Sequence, residues 1–186
     1  MRVVSGSARG RPLLTPRGDA IRPTTDRVRE ATFNALGSVG AVAGVRVLDL
    51  FSGSGAMGIE ALSRGADHVT FVDSSAAAIS VVRHNLAATG LAERATVLRR
   101  DALEFLASTE VDFDLVVADP PYAFDRWETL LAAFTSKVLV IESDRPVDPG
   151  PGRLVQRQRR YGGTVVTVAV QADRDPRGRP TPEERT

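Results

Sequence analysis

The sequence predicts an α/β fold built on a mostly parallel sheet, and three observations carry that prediction. Short apolar runs alternate with helical patterns from residue 45 to about residue 142, the rhythm of β-α-β units. The run FDLVVA (113–118) is almost wholly apolar, as a strand covered on both faces must be. Strand patterns also end in acids: Asp49 in VRVLDLF, Asp73 in HVTFVDSS and Asp119 in FDLVVADPPY. Open α/β sheets place their ligands outside the carboxyl ends of the strands.

The elements follow in order. Residues 2 to 15 hold two apolar runs, RVVS and PLLT, around SGSARGR. They predict a hairpin with a basic tip at Arg9, Gly10 and Arg11. Residues 1–20 are assigned to this extension, 21–172 to the main domain and 173–186 to a tail. Thr24 to Gly37 is amphipathic, with Val28, Ala31, Phe33, Ala35 and Leu36 on its apolar surface and Gly37 as a stop. The strand VRVLDLF (45–51) runs into a glycine-rich turn and then a helical pattern, IEALSRG. A second strand, HVTFVD, precedes an alanine-rich helix from Ser75 to Thr89 that ends at Gly90. Ala95 to Arg99 is the third strand and Phe113 to Ala118 the fourth. A helix is expected from about Ala123 to Phe134, before the strand KVLVIE. RLVQRQRRYGGTVVTVAV predicts two strands around Tyr161-Gly162-Gly163, closing one sheet edge. From Asp173 onward charge, proline and glycine dominate, which predicts disorder.

Composition bounds the chemistry. At 186 residues the chain has room for one domain with a substantial core. It has no cysteine, which excludes disulfides, thiolate metal sites and covalent cysteine catalysis. The two histidines, His68 and His84, have no partner at metal-ligand spacing, and no metal is expected. No secretory signal or long apolar span is evident, so no membrane role is expected and a cytoplasmic location is. The net charge of +1 conceals a separation. Residues 1–30 carry seven arginines against three acids, and 151–186 carry eight against four. Residues 44–150 carry nine basic and sixteen acidic residues. Basic ends around an acidic middle suit a polyanionic partner gripped at the ends.

Two motifs concentrate the chemistry. Gly53, Gly55 and Gly58 in SGSGAMG form G-x-G-x-x-G between a strand and a helix. Asp73, twenty positions past Gly53, stands where a ribose-binding carboxylate is expected. Asp49, just before the glycines, would repel a pyrophosphate and suit a cationic amine. That favours S-adenosylmethionine over a dinucleotide. Asp101 in LRRDALEF is either a helix N-cap or an acceptor for an adenine amino group. The second motif is Asp119-Pro120-Pro121-Tyr122. Two prolines stiffen the loop and remove two N–H donors. An acceptor carboxylate, free carbonyls and an aromatic plate suit a flat ring bearing an exocyclic amino group. Bonding both amino hydrogens draws the nitrogen toward a tetrahedral, nucleophilic geometry. Trp127 either extends that stacking wall or belongs to the core. Arg157, Arg159 and Arg160 either contact RNA or only solvate an edge strand.

The motifs LDLFSGSGAMGIEA, FVDSS, RRDA and ADPPY resemble those of class I S-adenosylmethionine-dependent methyltransferases acting on exocyclic amino nitrogens. RVVSGSARGRPLLTP, RPTTDRVREATFNAL and RRYGGTVVTV narrow the likeness to the RsmD family, the 16S rRNA guanine-N2 methyltransferases, over roughly residues 1–170. The resemblance implies a Rossmann-like, seven-stranded, mostly parallel sheet with flanking helices and an N-terminal hairpin. It implies that Asp119, Pro120, Pro121 and Tyr122 receive the target base. The cofactor would be lined by Asp49, Gly53, Ser54, Gly55, Asp73, Ser74, Asp101 and Ala102. Arg9, Arg11, Arg157, Arg159 and Arg160 are the expected RNA contacts, and 16S rRNA or the assembling small subunit the expected partner. The tail from Asp173 has no counterpart in the family.

The expected reaction is methyl transfer to guanine N2 with the base out of its stack. Asp119 and the Pro120 carbonyl would take the amino hydrogens while Tyr122 stacks the ring. The alternatives are a DNA adenine-N6 or cytosine-N4 methyltransferase, a protein-glutamine methyltransferase, an NAD-dependent dehydrogenase, or a non-catalytic RNA-binding module.

Overall fold

A computed structural model describes residues 1–16 and 25–172. Expectations for residues 17–24 and for the tail, 173–186, lie outside the described residues. The elements are α1 (Asp26–Ser38), β1 (Arg46–Leu50), α2 (Ala56–Ser63), β2 (His68–Asp73), α3 (Ala76–Thr89), β3 (Ala95–Arg99), α4 (Ala102–Ser108), β4 (Leu115–Ala118), α5 (Trp127–Ala132), β5 (Val138–Ser143), β6 (Arg153–Tyr161) and β7 (Thr164–Gln171). The sheet has seven strands in the order β3-β2-β1-β4-β5-β7-β6. The first five are parallel, and β7 and β6 join antiparallel. The strand order reverses between β1 and β4, and such a switch point opens a crevice at the carboxyl ends.

Strand alternation divides the core in two. Val47, Val69, Leu115, Val117, Val140, Val166 and Val168 pack on one face, with Phe33 and Leu36 of α1, Ile59 and Leu62 of α2, and Val82 and Leu86 of α3. Leu48, Leu50, Val72, Val116, Leu139 and Ile141 pack on the other, with Phe105 of α4 and Leu130 of α5. Among the described residues no helix is long and apolar enough to cross a membrane.

Three expectations change. Helix α1 passes through Gly37 and ends at Ser38, with Val39 as its C-cap. The helix expected over 123–134 is only Trp127–Ala132. The double-proline turn continues into it: the Phe124 N–H donates to the Pro121 carbonyl at 2.8 Å. The Phe124 ring then packs against Phe51 (5.5 Å) and Trp127 (5.4 Å). Aromatic packing overrides helix propensity there, and it gives Trp127 a packing role against the core.

The N-terminal segment differs most. In place of two regular strands there is one antiparallel bridge, Arg2 to Pro12, flanked by backbone bonds from Val3 N to the Arg11 carbonyl (3.0 Å), Leu13 N to the Met1 carbonyl (3.0 Å) and Gly10 N to the Val3 carbonyl (2.8 Å). The segment is also not peripheral. Val3, Ala8 and Leu13 are buried in the main core. The fully buried Glu60 carboxylate accepts from Val4 N (2.8 Å) and Ser5 N (3.0 Å) and pairs with Arg29 (3.4 Å) and Arg64 (2.7 Å). The Ser63 carbonyl accepts from Ser7 N at 2.8 Å. Sequence patterning shows that a segment is short and basic. It does not show that its amides satisfy a buried acid 55 residues away.

Gly6 is the tightest point of this docking. Its φ is +85°, and a β-carbon there would lie 1.8 Å from the Ser63 carbonyl oxygen. Gly6→Ala should cost about 3 kcal/mol or more, lowering Tm by roughly 6–12 °C. Gly10 has a similar φ of +82° and open surroundings, so Gly10→Ala should cost only about 1–2 kcal/mol. Thermal unfolding of the two variants side by side checks this. Equal shifts would contradict the docking.

Candidate active site

The site forms where β1, β4 and β5 end. Asp49, Asp119 and Glu142 each lie two residues beyond a member of the same core face: Val47, Val117 and Val140. All three side chains therefore project from that face. Asp119 is the first residue past β4, whose last residue, Ala118, pairs with Ile141, so Asp119 stands beside Glu142 of β5.

Asp49 is buried and accepts a hydrogen bond from Gly58 N at 2.9 Å. Burial is the chief cause of its carboxyl being pushed up to about 7. The Gly58 bond opposes the rise, and the Asp73 charge adds to it. The Asp119 carboxyl is raised well above the ordinary carboxylate range, first by burial and then by repulsion from Glu142 and Asp49. Glu142 was not among the sequence-derived site residues. The signal was present: it is an acid at the carboxyl end of an apolar strand, KVLVIE, as Asp49 and Asp119 are.

The glycine turn divides its tasks. Phe51, before it, has a positive φ of 57°, rare for a bulky residue and a sign of a constrained loop. Gly53 N donates to Asp73 Oδ2 at 2.9 Å, and Asp73 Oδ1 accepts from Ser75 N at 2.8 Å. A β-carbon on Gly53 would meet nothing nearer than the Phe51 carbonyl at 3.9 Å, so this glycine borders open space. Gly55 is the left-handed N-cap of α2. Gly58 serves packing, because a β-carbon there would lie 2.3 Å from the Phe71 ring. Ser52 Oγ is buried with no hydrogen-bond partner among the described residues. An open face at Gly53, an orphaned hydroxyl and a buried acid beside it fit a cofactor with a polar, cationic end.

The other residues singled out by sequence fall around this centre. Ser74 is exposed and Ala102 buried. Asp101 is the N-cap of α4, accepting from Leu103 N (2.9 Å) and Glu104 N (3.1 Å) through Oδ1. Its other oxygen has no bond among the described residues, so the capping and ligand-accepting roles are compatible. Asn85 was missed by sequence. Its buried amide donates to the Ser54 carbonyl (2.9 Å) and the Leu14 carbonyl (3.0 Å), and accepts from Leu14 N (2.8 Å). It ties the glycine turn to the N-terminal segment.

In the Asp119-Pro120-Pro121-Tyr122 loop, the Pro120 carbonyl accepts no hydrogen bond among the described residues. Tyr122 is 41% exposed. Its hydroxyl bonds Thr164 Oγ1 at 3.0 Å, which tethers the loop to the start of β7. The basic residues divide. Arg157 and Arg159 pair with Val168 and Val166 and so share the sheet face of Asp119. Arg160 pairs with Val165 on the opposite face, where it donates to the Asp144 carbonyl. Arg9 is exposed, whereas Arg11 donates to the Ala88 carbonyl in the last turn of α3 at 2.9 Å. Among the described residues no group of three His, Cys, Asp or Glu is arranged to hold a metal.

The model of the family described as "Conserved hypothetical protein 95" matches residues 1–170. The chain belongs to this RsmD-like family of class I methyltransferases. The Bacillus subtilis protein YlbH is 41% identical over 181 residues, spanning 90% of this chain and 97% of that protein. Ribosomal RNA small subunit methyltransferase D of Escherichia coli is 42% identical over 122 residues, 66% of this chain and 60% of that protein. The solved structure of yhhF from Escherichia coli superposes with a TM-score of 0.81 at 31% identity, covering 92% of this chain and 97% of that one.

Asp49 generates a prediction. The carboxyl ionises near 3.8 when unfolded and about 7 when folded, so the folded state holds the proton more tightly. The resulting stabilisation is complete below about pH 4 and is lost as pH rises through 7, a span on the order of 4 kcal/mol. Asp49→Asn should therefore grow more stable relative to the unsubstituted chain as pH rises from 4 to 8. Urea unfolding of ligand-free protein across that range checks it, and parallel curves would contradict it.

Proposed function

We propose that this protein methylates the exocyclic N2 of a guanine in small-subunit rRNA. The coarser statement, methyl transfer to rRNA, follows from the family and its relatives. One observation carries the finer one: Asp119 and Glu142 stand side by side at the strand ends. The Watson–Crick edge of guanine offers two adjacent donors, the ring N1–H and the N2 amino group. Adenine and cytosine set an acceptor nitrogen beside their amino group. Two neighbouring carboxyls suit the first pattern better than the others, since an ionised carboxylate only accepts. Left unpaired, such buried acceptors would weigh against the wrong base.

In this reading Asp119 and the Pro120 carbonyl accept the N2 hydrogens. Glu142 accepts the N1 hydrogen, and Tyr122, braced by Thr164, stacks the ring. The nitrogen lone pair is thereby held out of conjugation and aimed toward the glycine turn. The cofactor is S-adenosylmethionine, which when bound supplies an electrophilic methyl group on a sulfonium sulfur. Asp49 and the Gly53 face would hold its methionine end, Asp73 and Ser74 the ribose, and Asp101 and Ala102 the adenine, with Ser54 and Gly55 shaping the turn. Positioning of two reactants supplies most of the acceleration. Asp119, whose burial favours its protonated form, is suited to receive the proton the amine sheds.

Methyl transfer to naked 16S rRNA and to small subunits, followed by nucleoside analysis, tests the reading. The expected product is N2-methylguanosine, and a methylated adenine or cytosine would overturn it. Asp119→Ala should retain cofactor affinity and lose roughly 10²–10⁴-fold in kcat. A rate within a few-fold of the unsubstituted protein would remove Asp119 from the mechanism. Gly53→Val should stay folded at a cost of about 1–2 kcal/mol, since its φ of +53° disfavours a β-carbon although nothing lies near one, yet lose S-adenosylhomocysteine binding by calorimetry. Unchanged affinity would move the cofactor away from this turn.

A further inference from the structure

We propose that the groove between α1 and the β6–β7 edge carries the RNA strand leading to the target base, with Arg157 and Arg159 gripping its phosphates and Arg160 taking no part. The inference rests on the proposed function, since it takes Asp119 as the place of the target base. It adds the path of the chain around that base.

Strand register supplies the geometry. Ala118 pairs with Ile141, Glu142 with Val166, and Val166 with Arg159. Asp119, Glu142, Val166 and Arg159 therefore form one row across the sheet, on one face. Three strand spacings separate the ends of the row, about 14 Å at roughly 4.8 Å each. That is the scale of a nucleotide from the amino edge of its base to the phosphates flanking it. Arg157 lies on the same face, opposite Val168.

The lining gives the partner's chemistry. Ala31, Thr32 and Ala35 of α1 form one wall, and Arg157, Arg159 and Tyr161 the other. The helix side contributes only small side chains, the depression is shallow, and none of the described residues lining it is acidic. The Arg159 guanidinium lies 5.6 Å from the centre of the Tyr161 ring, a combination that serves both phosphate contact and base stacking. Charge is graded along the row: carboxyls at the inner end meet the donors of a neutral base, and arginines at the outer end meet phosphates. A phosphate moved to the inner end would face Asp119 and Glu142. The gradient therefore fixes which way round a nucleotide enters.

Arg160 is the internal control. It is adjacent in sequence and equally basic, but it projects from the other face and bonds to the Asp144 carbonyl. A non-specific cationic edge would use all three arginines alike. The groove uses two.

The test compares Arg157→Ala/Arg159→Ala with Arg160→Ala and the unsubstituted protein. Filter binding to naked 16S rRNA at several salt concentrations reads affinity without turnover. The double variant should lose at least tenfold in affinity. Its salt slope should shrink by about 1.4, for two single-strand phosphate contacts at roughly 0.7 each. Arg160→Ala should stay within twofold with an unchanged slope, and S-adenosylhomocysteine affinity should be equal in all three. In methyl transfer the double variant's defect should appear in KM for RNA. Equal losses from Arg160→Ala and the double variant, or an unchanged slope in the double variant, would overturn the path. The base assignment fails separately, through the identity of the methylated nucleoside.

Discussion

Burial of carboxyl groups at the ends of adjacent strands is the constraint on which the site depends. Asp49, Asp119 and Glu142 project from the face that buries Val47, Val117 and Val140. They cannot retreat into water without reversing the strands that carry them. Ionised acids in such a place repel one another and lack solvation, and the raised Asp49 and Asp119 carboxyls express that cost. A fold retains such a row where a partner relieves it. The Gly58 amide relieves Asp49 in part. In the proposed reading a cationic amine adds to that relief at Asp49, and the amino group of a base adds to it at Asp119.

The support for this row reaches the first residues of the chain. Asn85 joins the glycine turn to Leu14 through three hydrogen bonds of one buried side chain. Glu60 joins the amides of Val4 and Ser5 to Arg29 of α1 and Arg64 beyond α2. Breaking one side of a buried charge network leaves its partners unsatisfied in a low-dielectric interior. The N-terminal segment is therefore tied to the glycine turn through Asn85. This places Arg9 and Arg11 on a platform continuous with the site, and Arg11 spends part of its hydrogen-bonding capacity on α3.

The central elements were legible in the sequence because their causes are local. Apolar runs, their acidic ends and the spacing from Gly53 to Asp73 locate β1, β2, β4 and the turn without reference to anything distant. The Asp73 carboxylate does meet the Gly53 amide. What sequence missed has causes that are not local. The Phe124 ring shortens α5 by packing between Phe51 and Trp127, partners 73 positions before it and 3 after it. The N-terminal runs pair only around Arg2 and Pro12, because the amides of Val4, Ser5 and Ser7 turn instead to Glu60 and Ser63 of α2. Arg159 and Arg160 read alike in sequence; strand alternation puts them on opposite faces, and only the pairing of Arg159 with Val166 shows which of the two shares the face of Asp119.

The two-residue turn between β6 and β7 bears on how, in the proposed reading, the two ends of the substrate are told apart. Gly162 and Gly163 pair Tyr161 with Thr164, and alternation back along β6 then sets the face of Arg159 and Arg157. A bulge between Val155 and Arg157 absorbs one extra residue, so only Arg153 to Val155 are offset against β7 by it. The turn thus aligns Arg157, Arg159 and Tyr161 with Thr164, whose hydroxyl bonds that of Tyr122. The same hairpin thus positions the stacking ring near the carboxyls and the cations at the rim. An acidic middle would repel RNA over most of the surface, so productive approach requires the cations to be close enough to hold the phosphates but too far from the carboxyl row to neutralise it. A single strand pair, inserted antiparallel at one edge of a parallel sheet, satisfies both requirements at once.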